Sequence, residues 1–270
     1  MNNATRIALG LEYNGQLFAG WQRQTHQQTL QGSLEAALSI IAQEKITVHA
    51  AGRTDTGVHA TRQVVHFDTF AHRPLNAWVR GVNRYLPPNI AIQWAQHMPS
   101  DFHARFSALS RQYSYWLLCR PTRPGFLHGQ VGWCFQPLDI QSMQQAAQIF
   151  IGQHDFSSFR SSACQAKSPI RTLYQLTIVR HDHLFCCTFK ADGFLHHMVR
   201  NIMGALIYVG KGVLTYQHLQ SLLASKKRSG APPTFMPDGL YLTDVYYPKV
   251  FKLPKTAAPS KVFALLKHAR

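Results

Sequence analysis

The sequence predicts an α+β fold whose sheet is mainly antiparallel or mixed, on three observations. Strand-like runs of period two and helix-like runs of period 3.6 occur in both halves of the chain, without the regular βαβα alternation of a doubly wound parallel sheet. At 270 residues, 46% hydrophobic and 11% aromatic, the chain can bury one large core or two modest ones. It contains no repeat of fixed period and no low-complexity segment.

The elements follow in order. Ile7, Leu9, Leu11 and Tyr13 alternate with smaller or polar residues and predict an opening strand. Asn14-Gly15 turns it, and Gly20 sits in a second bend before Trp21. Leu30, Leu34, Leu38 and Ile41 recur at helical spacing, giving an amphipathic helix over 29–43. Short β-prone runs at 46–50 and 63–67 bracket a Gly-bounded loop containing Asp55, and a second helix over 75–84 stops at Pro87-Pro88. A polar link near 98–104 separates the halves. The second half reads as a strand at 112–118 and a helix at 139–151 with Met143, Ala147 and Phe150 inward. Two strands, 174–180 and 184–190, flank a His181-Asp182-His183 turn. A long helix over 194–209, a shorter one near 215–224 and a strand at 240–247 complete it. The expected division is an N-terminal α/β subdomain of 1–103 with the Asp55 loop, a C-terminal one of 104–248, and a basic extension of 249–270. The extension is expected to be a partly ordered, solvated tail, with a supplementary phosphate-contacting arm as the sharper alternative, and Val262, Leu265 and Leu266 can form one side of a terminal helical turn or two.

Lys and Arg number 28 against 12 acids, a formal charge of +16. Such an excess points to an extended polyanion, because each neutralised phosphate releases counterions and adds sequence-independent affinity. The five cysteines form an odd set with no CxxC spacing, which fits a reducing compartment. Met1 to Ile7 lacks the apolar run of a signal peptide, and no apolar stretch approaches the ~20 residues that span a bilayer. The expectation is a cytoplasmic protein that binds nucleic acid and no membrane. Fifteen histidines raise the question of a metal. The adjacent pairs His196-His197 and Cys186-Cys187 lack zinc-ligand spacing, so no metal is expected.

The most informative segment is Ala51-Gly52-Arg53-Thr54-Asp55-Thr56-Gly57-Val58-His59-Ala60. Two glycines let the backbone bend tightly around a carboxylate flanked by a guanidinium. A salt bridge between Arg53 and Asp55 is the simplest structural use of the pair. Asp55-Thr56-Gly57 also spells the tripeptide of aspartic proteases, which need two aspartates sharing one proton; this chain has one copy, after the wrong flank.

The loop resembles the signature loop of the tRNA pseudouridine synthase A family, with Thr56 where the family more often has Ala. The resemblance continues through Tyr13-Asn14-Gly15 with Phe18 to Gln24, through Phe102 to Ala108 with Arg111 to Tyr115, and through His154 to Arg160. It goes on in Ser168 to Thr172, in Gly193 to Asn201 and in Gly239 to Leu242, covering residues 6 to about 248. It implies a pseudouridine synthase fold of two α/β subdomains around a central basic cleft. It also implies isomerisation of uridines 38, 39 and 40 in the tRNA anticodon stem-loop by a homodimer.

That reaction breaks the ribose C1′–uracil N1 bond and rejoins the turned base through C5. No electrons are exchanged and no atom leaves, so no cofactor is expected, and no GxxxxGK[ST] or GxGxxG loop is present. By the resemblance Asp55 is the catalytic carboxylate, as nucleophile or as stabiliser of charge at C1′. Arg200 is its cationic partner. Tyr113 stacks on the uracil and handles the C5 proton. Arg53 fills the space that a flipped base vacates or grips a phosphate. Arg23, Arg62, Arg80, Arg84, Arg105, Arg111, Arg160 and Arg171 suit tracking of the RNA backbone. The competing reading is a catalytically silent RNA-binding protein on the same scaffold. A metal-dependent or two-histidine RNA hydrolase has no matching residue frame here.

Overall fold

The computed structural model describes residues 4–254, so the expected turn of Val262, Leu265 and Leu266 lies outside the described residues. The chain forms two units. The first runs to Arg111 and resumes at Tyr241, and the second is Gln112–Leu240. The last strand therefore belongs with the N-terminal segment, a different partition from the 103/104 and 248/249 boundaries expected from sequence.

In the first unit β1 (Thr5–Tyr13) is a central strand. It pairs antiparallel with both β3 (His59–Thr69) and β4 (Ile90–Met98), with Ile7 opposite Phe67 on one side and His97 on the other. Residues Ile7 to Leu11 are buried on both faces, where the alternation alone suggests one wet face. The strand order is β4-β1-β3, then β10 (Leu240–Tyr246), and the two-residue β2 (His49–Ala50) also pairs with β3. β10 runs parallel to β3, with Tyr241 opposite His59 and Leu242 opposite Ala60.

Helix α1 (Leu30–Ala42) starts where the Thr29 hydroxyl accepts the Gly32 N–H and stops at Gln43 in the left-handed region. Its buried Leu30, Leu34 and Leu38 are the stripe that the spacing predicts. Glu35 is buried with them and accepts from Gln31 Nε2, Arg23 Nη1 and the Val48 N–H, so its charge is met on three sides. The helical segment expected at 75–84 forms, with a π-helical turn at Ala77–Gly81 that buries Trp78.

β3 also carries a histidine cluster. Buried His66 stacks on His49 at 5.0 Å, meets His103 edge-on at 4.5 Å, and accepts the Ala104 N–H on Nδ1. Desolvation first, then the nearby His103, Arg6 and His49, hold its pKa down to about 3, against a smaller opposing pull from Asp68.

In the second unit the strand order is β5 (Ser110–Cys119), β9 (Leu184–Ala191), β8 (Ile170–His181), β7 (Gly152–Asp155). The chain enters this unit within β5, and β6 (Gly132–Cys134) lies parallel to that strand. β8 and β9 form the expected hairpin, with Asp182 in the left-handed region at its tip. Helix α2 (Ile140–Ala147) is capped by Asp139 and runs into a 3₁₀ turn; Met143, Ala147 and Phe150 face inward as predicted. Helix α3 (Met198–Gly210) begins four residues later than expected, because His197 has φ +63°, outside the helical region. Helix α4 (Tyr216–Ser225) follows, capped by Thr215.

A Cβ on Gly204, in the middle of α3, would sit 2.4 Å from the Pro233 carbonyl oxygen. Alanine usually stabilises a helix interior by roughly 0.5–1 kcal/mol over glycine. Here Gly204→Ala is expected to cost about 1–3 kcal/mol instead, read as a lower urea midpoint with an unchanged slope. For His66 the fold favours the neutral ring, while the unfolded chain takes up a proton near its ordinary pKa of about 6.5. The stability it contributes is therefore complete above that value and is lost as pH falls toward the folded value. Unfolding free energy is expected to fall as pH drops from about 6.5 toward about 3, and His66→Gln to flatten that fall.

Candidate active site

The loop between β2 and β3 is built from its backbone outward. The Ala51 N–H donates to the Val64 carbonyl, and the Val58 N–H donates to the Asp55 carbonyl at 3.1 Å, closing a turn around the carboxylate. Gly57, at φ +79°, takes the left-handed position that this turn requires.

Thr54 faces inward and is buried. Its hydroxyl shares a 2.9 Å hydrogen bond with the Tyr13 hydroxyl, and its carbonyl accepts the Trp21 N–H at 2.9 Å. Gln63 Nε2 donates to the Gly52 carbonyl at 2.7 Å and reaches the Tyr13 oxygen at 3.4 Å. Burial pushes the Tyr13 phenol well above its ordinary pKa, more than those hydrogen bonds to Thr54 and Gln63 lower it, so it stays a neutral O–H. Gly20 lies directly beneath: at φ +88°, a Cβ there would be 2.9 Å from the Thr54 oxygen and 3.1 Å from the Thr56 nitrogen.

Arg111 holds the loop at its root. Its Nε and Nη2 donate to the Ala51 carbonyl at 3.2 and 3.1 Å, its Nη1 to the Ala108 carbonyl, and Nη2 also to the Arg105 carbonyl. Beyond the loop, His59 accepts the Gly15 N–H on Nδ1 and stacks on Tyr241 at 4.5 Å. The result is a rigid frame presenting a half-buried Asp55 next to an exposed Arg53.

In the second unit Tyr113 lies buried on β5, its ring edge-on to Phe194 at 5.0 Å and 81°. Phe194 belongs to the turn that leads through His196 and His197 into α3, and those two imidazoles lie 4.0 Å apart. Arg200 sits in the first turn of α3, where a cation meets the positive end of the helix dipole. Helix electrostatics therefore does not account for its position. Its Nε donates to the Phe235 carbonyl at 2.8 Å, and the Phe235 N–H donates back to the Arg200 carbonyl at 3.2 Å. The same 228–235 strap is fastened one residue on. Buried Asn201 accepts from Thr234 Oγ1 and Arg228 Nη2 and donates to the Phe159 carbonyl.

Asp55 and Arg53 thus share one loop of the first unit, and Tyr113 and Arg200 lie on β5 and α3 of the second. The residues that seat the Asp55 loop, Tyr13, Thr54, Gln63 and Arg111, carry no role in the sequence reading apart from Arg111 as an RNA contact. That role needs correction, since Arg111 is turned to three backbone carbonyls. Arg62 likewise pairs with Asp244 at 3.0 Å with both side chains largely covered. A glutamine inside a strand gives no periodic signal, so Gln63 is recognisable only once its carbonyl partner is placed.

The comparisons with known proteins concern the family of the chain. A family model described as tRNA pseudouridine synthase matches residues 11–107 and 146–248, which include Asp55 and Arg200 and leave out Tyr113. The tRNA pseudouridine synthase A of Chromobacterium violaceum is 58% identical over 258 residues, covering 95% of this chain and 98% of that protein. Those of Bordetella petrii and Thiobacillus denitrificans are 53% and 52% identical, each covering 93% of this chain and 94% and 97% of their own lengths. Among solved structures, a chain from the archaeal box H/ACA sRNP Nop10-Cbf5 complex overlaps 88% of this chain and 48% of its own length. Its TM-score of 0.35 and 11% identity are too low to add to the assignment. The chain belongs to the tRNA pseudouridine synthase family, and by that membership it is an isomerase acting on tRNA. No helix among the described residues is long and apolar enough to cross a membrane.

The seating of the loop is testable away from catalysis. Gln63→Leu leaves the Gly52 carbonyl and the Tyr13 hydroxyl short of a donor in a covered site. It is expected to cost about 1–3 kcal/mol in chemical unfolding, and a variant as stable as the parent would contradict the assigned clamp.

Proposed function

We propose that this synthase isomerises uridines 38, 39 and 40 in the tRNA anticodon stem-loop, as a cytoplasmic homodimer, with Asp55 as the catalytic carboxylate. The observation that carries the proposal is the seating of Asp55. In a chain with 12 acids against 28 cations, one aspartate stands half-buried on a loop that four other residues hold in place. A carboxylate that must meet an anionic ligand gains nothing in binding from its charge, so its fixed position argues for chemistry.

Asp55 acts in its ionised form, either by attacking the nucleoside or by stabilising positive charge at C1′ as the bond to N1 breaks. Exposed Arg53 is free of the loop's inward packing, which suits a cation that enters the space left by the flipped base and offsets part of the unstacking cost, roughly a few kcal/mol. Tyr113 serves as a stacking surface for the uracil and handles the C5 proton. Its edge-on contact with Phe194 restricts its ring. Arg200 supplies a fixed positive charge, made stationary by the reciprocal bonds to Phe235. Removal of the C5 proton is common to every version of this chemistry, which makes it the natural readout.

Tritium release from tRNA labelled at uracil C5 checks the proposal, with wild type and Asp55→Ala compared side by side. Wild type is expected to release label, and the variant to lose turnover by roughly a thousandfold or more while keeping its tRNA affinity. A wild type that binds tRNA and releases nothing would mark a silent RNA-binding protein, and equal release by both proteins would remove Asp55 from the reaction.

A further inference from the structure

We propose that Cys119 and Cys134 form a dithiol site that a low-molecular-weight disulfide oxidises to an internal disulfide, stapling the segment between them. The two residues are directly opposite each other in the parallel pairing of β5 and β6. Opposed residues on neighbouring strands project to the same face, and strand spacing puts their Cα atoms at about 4.8 Å, inside the range a disulfide bridges. Both thiols donate to one acceptor: Cys119 Sγ lies 3.0 Å and Cys134 Sγ 3.4 Å from the Gln136 carbonyl oxygen. The sulfurs converge on a single point, and Cys134 is also within hydrogen-bonding reach of Cys119.

The backbone around them is already closed. The Arg120 N–H donates to the Cys134 carbonyl at 3.1 Å, and Trp133 Nε1 donates to the Arg120 carbonyl at 2.9 Å. The segment that the bond would staple ends at those two residues and carries Phe126, 89% exposed, near its middle. Cys186 and Cys187 are neighbours on β9 and point to opposite faces, Cys187 is buried, and Cys164 stands in the 161–168 loop.

The chemistry balances without a further reagent. Half-exposed Cys119 loses its proton and attacks one sulfur of glutathione disulfide, releasing one glutathione that carries that proton away. Cys134, deprotonated in turn, attacks the Cys119 sulfur of the mixed disulfide and expels the second glutathione. Two protein thiols are oxidised by two electrons and one disulfide is reduced to two thiols. Burial, and then the neighbouring Cys134, raise the Cys119 pKa, so the thiolate is scarce at neutral pH and the reaction quickens as pH rises.

The test incubates the full-length protein with glutathione disulfide near pH 8 (about the ordinary thiol pKa) and counts thiols after denaturation, with peptide mapping under non-reducing conditions. The count is expected to fall from five to three, with one Cys119–Cys134 linked peptide and no glutathione retained. Thermal stability should rise on oxidation and return on reduction. Cys134→Ser should stop at a glutathione adduct on Cys119, and Cys119→Ser should form no link. Cys119→Ala and Cys134→Ala serve the same purpose where a serine variant does not fold. Stable adducts without a link in the wild type, a link involving Cys164, Cys186 or Cys187, or an unchanged count of five would each overturn the proposal.

Discussion

Aspartate has a short side chain with two torsions, so the position of the Asp55 carboxylate is inherited almost entirely from the backbone of its loop. That backbone is fixed through its neighbour. Thr54 is bound from two sides, by the Tyr13 hydroxyl on its side chain and the Trp21 N–H on its carbonyl. Turning Thr54 inward turns the residues on either side outward or half-outward, and these are Arg53 and Asp55. The inward threonine thus sets the direction of both chemically interesting side chains, and its bonds are short, buried and free of competition from water.

The loop's partners come from the sheet itself, which ties strand register to chemistry. Tyr13 is the last residue of β1 and Gln63 lies within β3, opposite Leu11. Side chains alternate faces along a strand, so a slip of one residue in the β1–β3 pairing would point Tyr13 or Gln63 away from the loop. That register is held by pairing along nearly all of β1, including Ile7 opposite Phe67 and Leu9 opposite Val65, with all four side chains buried. Hydrophobic burial in the middle of the sheet is what places a polar network at its end.

This layering explains what was legible in the sequence. The strands and helices with strong apolar periodicity, among them β1, α1, β8, β9 and α4, are where the pattern puts them, because their burial is written in their own residues. β4 escapes the same reading: it ends the strand order, and its Gln93, Gln96 and His97 blur the alternation. β6 and β7, of three and four residues, are too short to show any period. The late start of α3 depends on one histidine's left-handed backbone, and the parallel pairing of β10 with β3 joins residues 182 positions apart in the chain. Asp55 itself was legible from its Gly-bounded setting and the family resemblance. The residues that seat it were not, since their partners are carbonyls and hydroxyls that no local pattern announces.

The basic residues divide along the same line. The net charge of +16 reads as an RNA-binding field, yet several of the arginines behind it face inward. Arg6 is held by Asp68 and the Ser100 and Phe102 carbonyls, Arg62 by Asp244, Arg111 by Ala51, and Arg200 by Phe235. A guanidinium can fasten two or three carbonyls at once with a planar fork of donors, which lysine cannot do. Part of the cationic excess is therefore structural, clamping loops and chain ends whose carbonyls would otherwise go unmet. Arg80, Arg84 and Arg105 remain exposed, and they are the stronger candidates for phosphate contact. The number of phosphates neutralised, which sets the salt dependence of tRNA binding, should accordingly fall well short of what the net charge suggests.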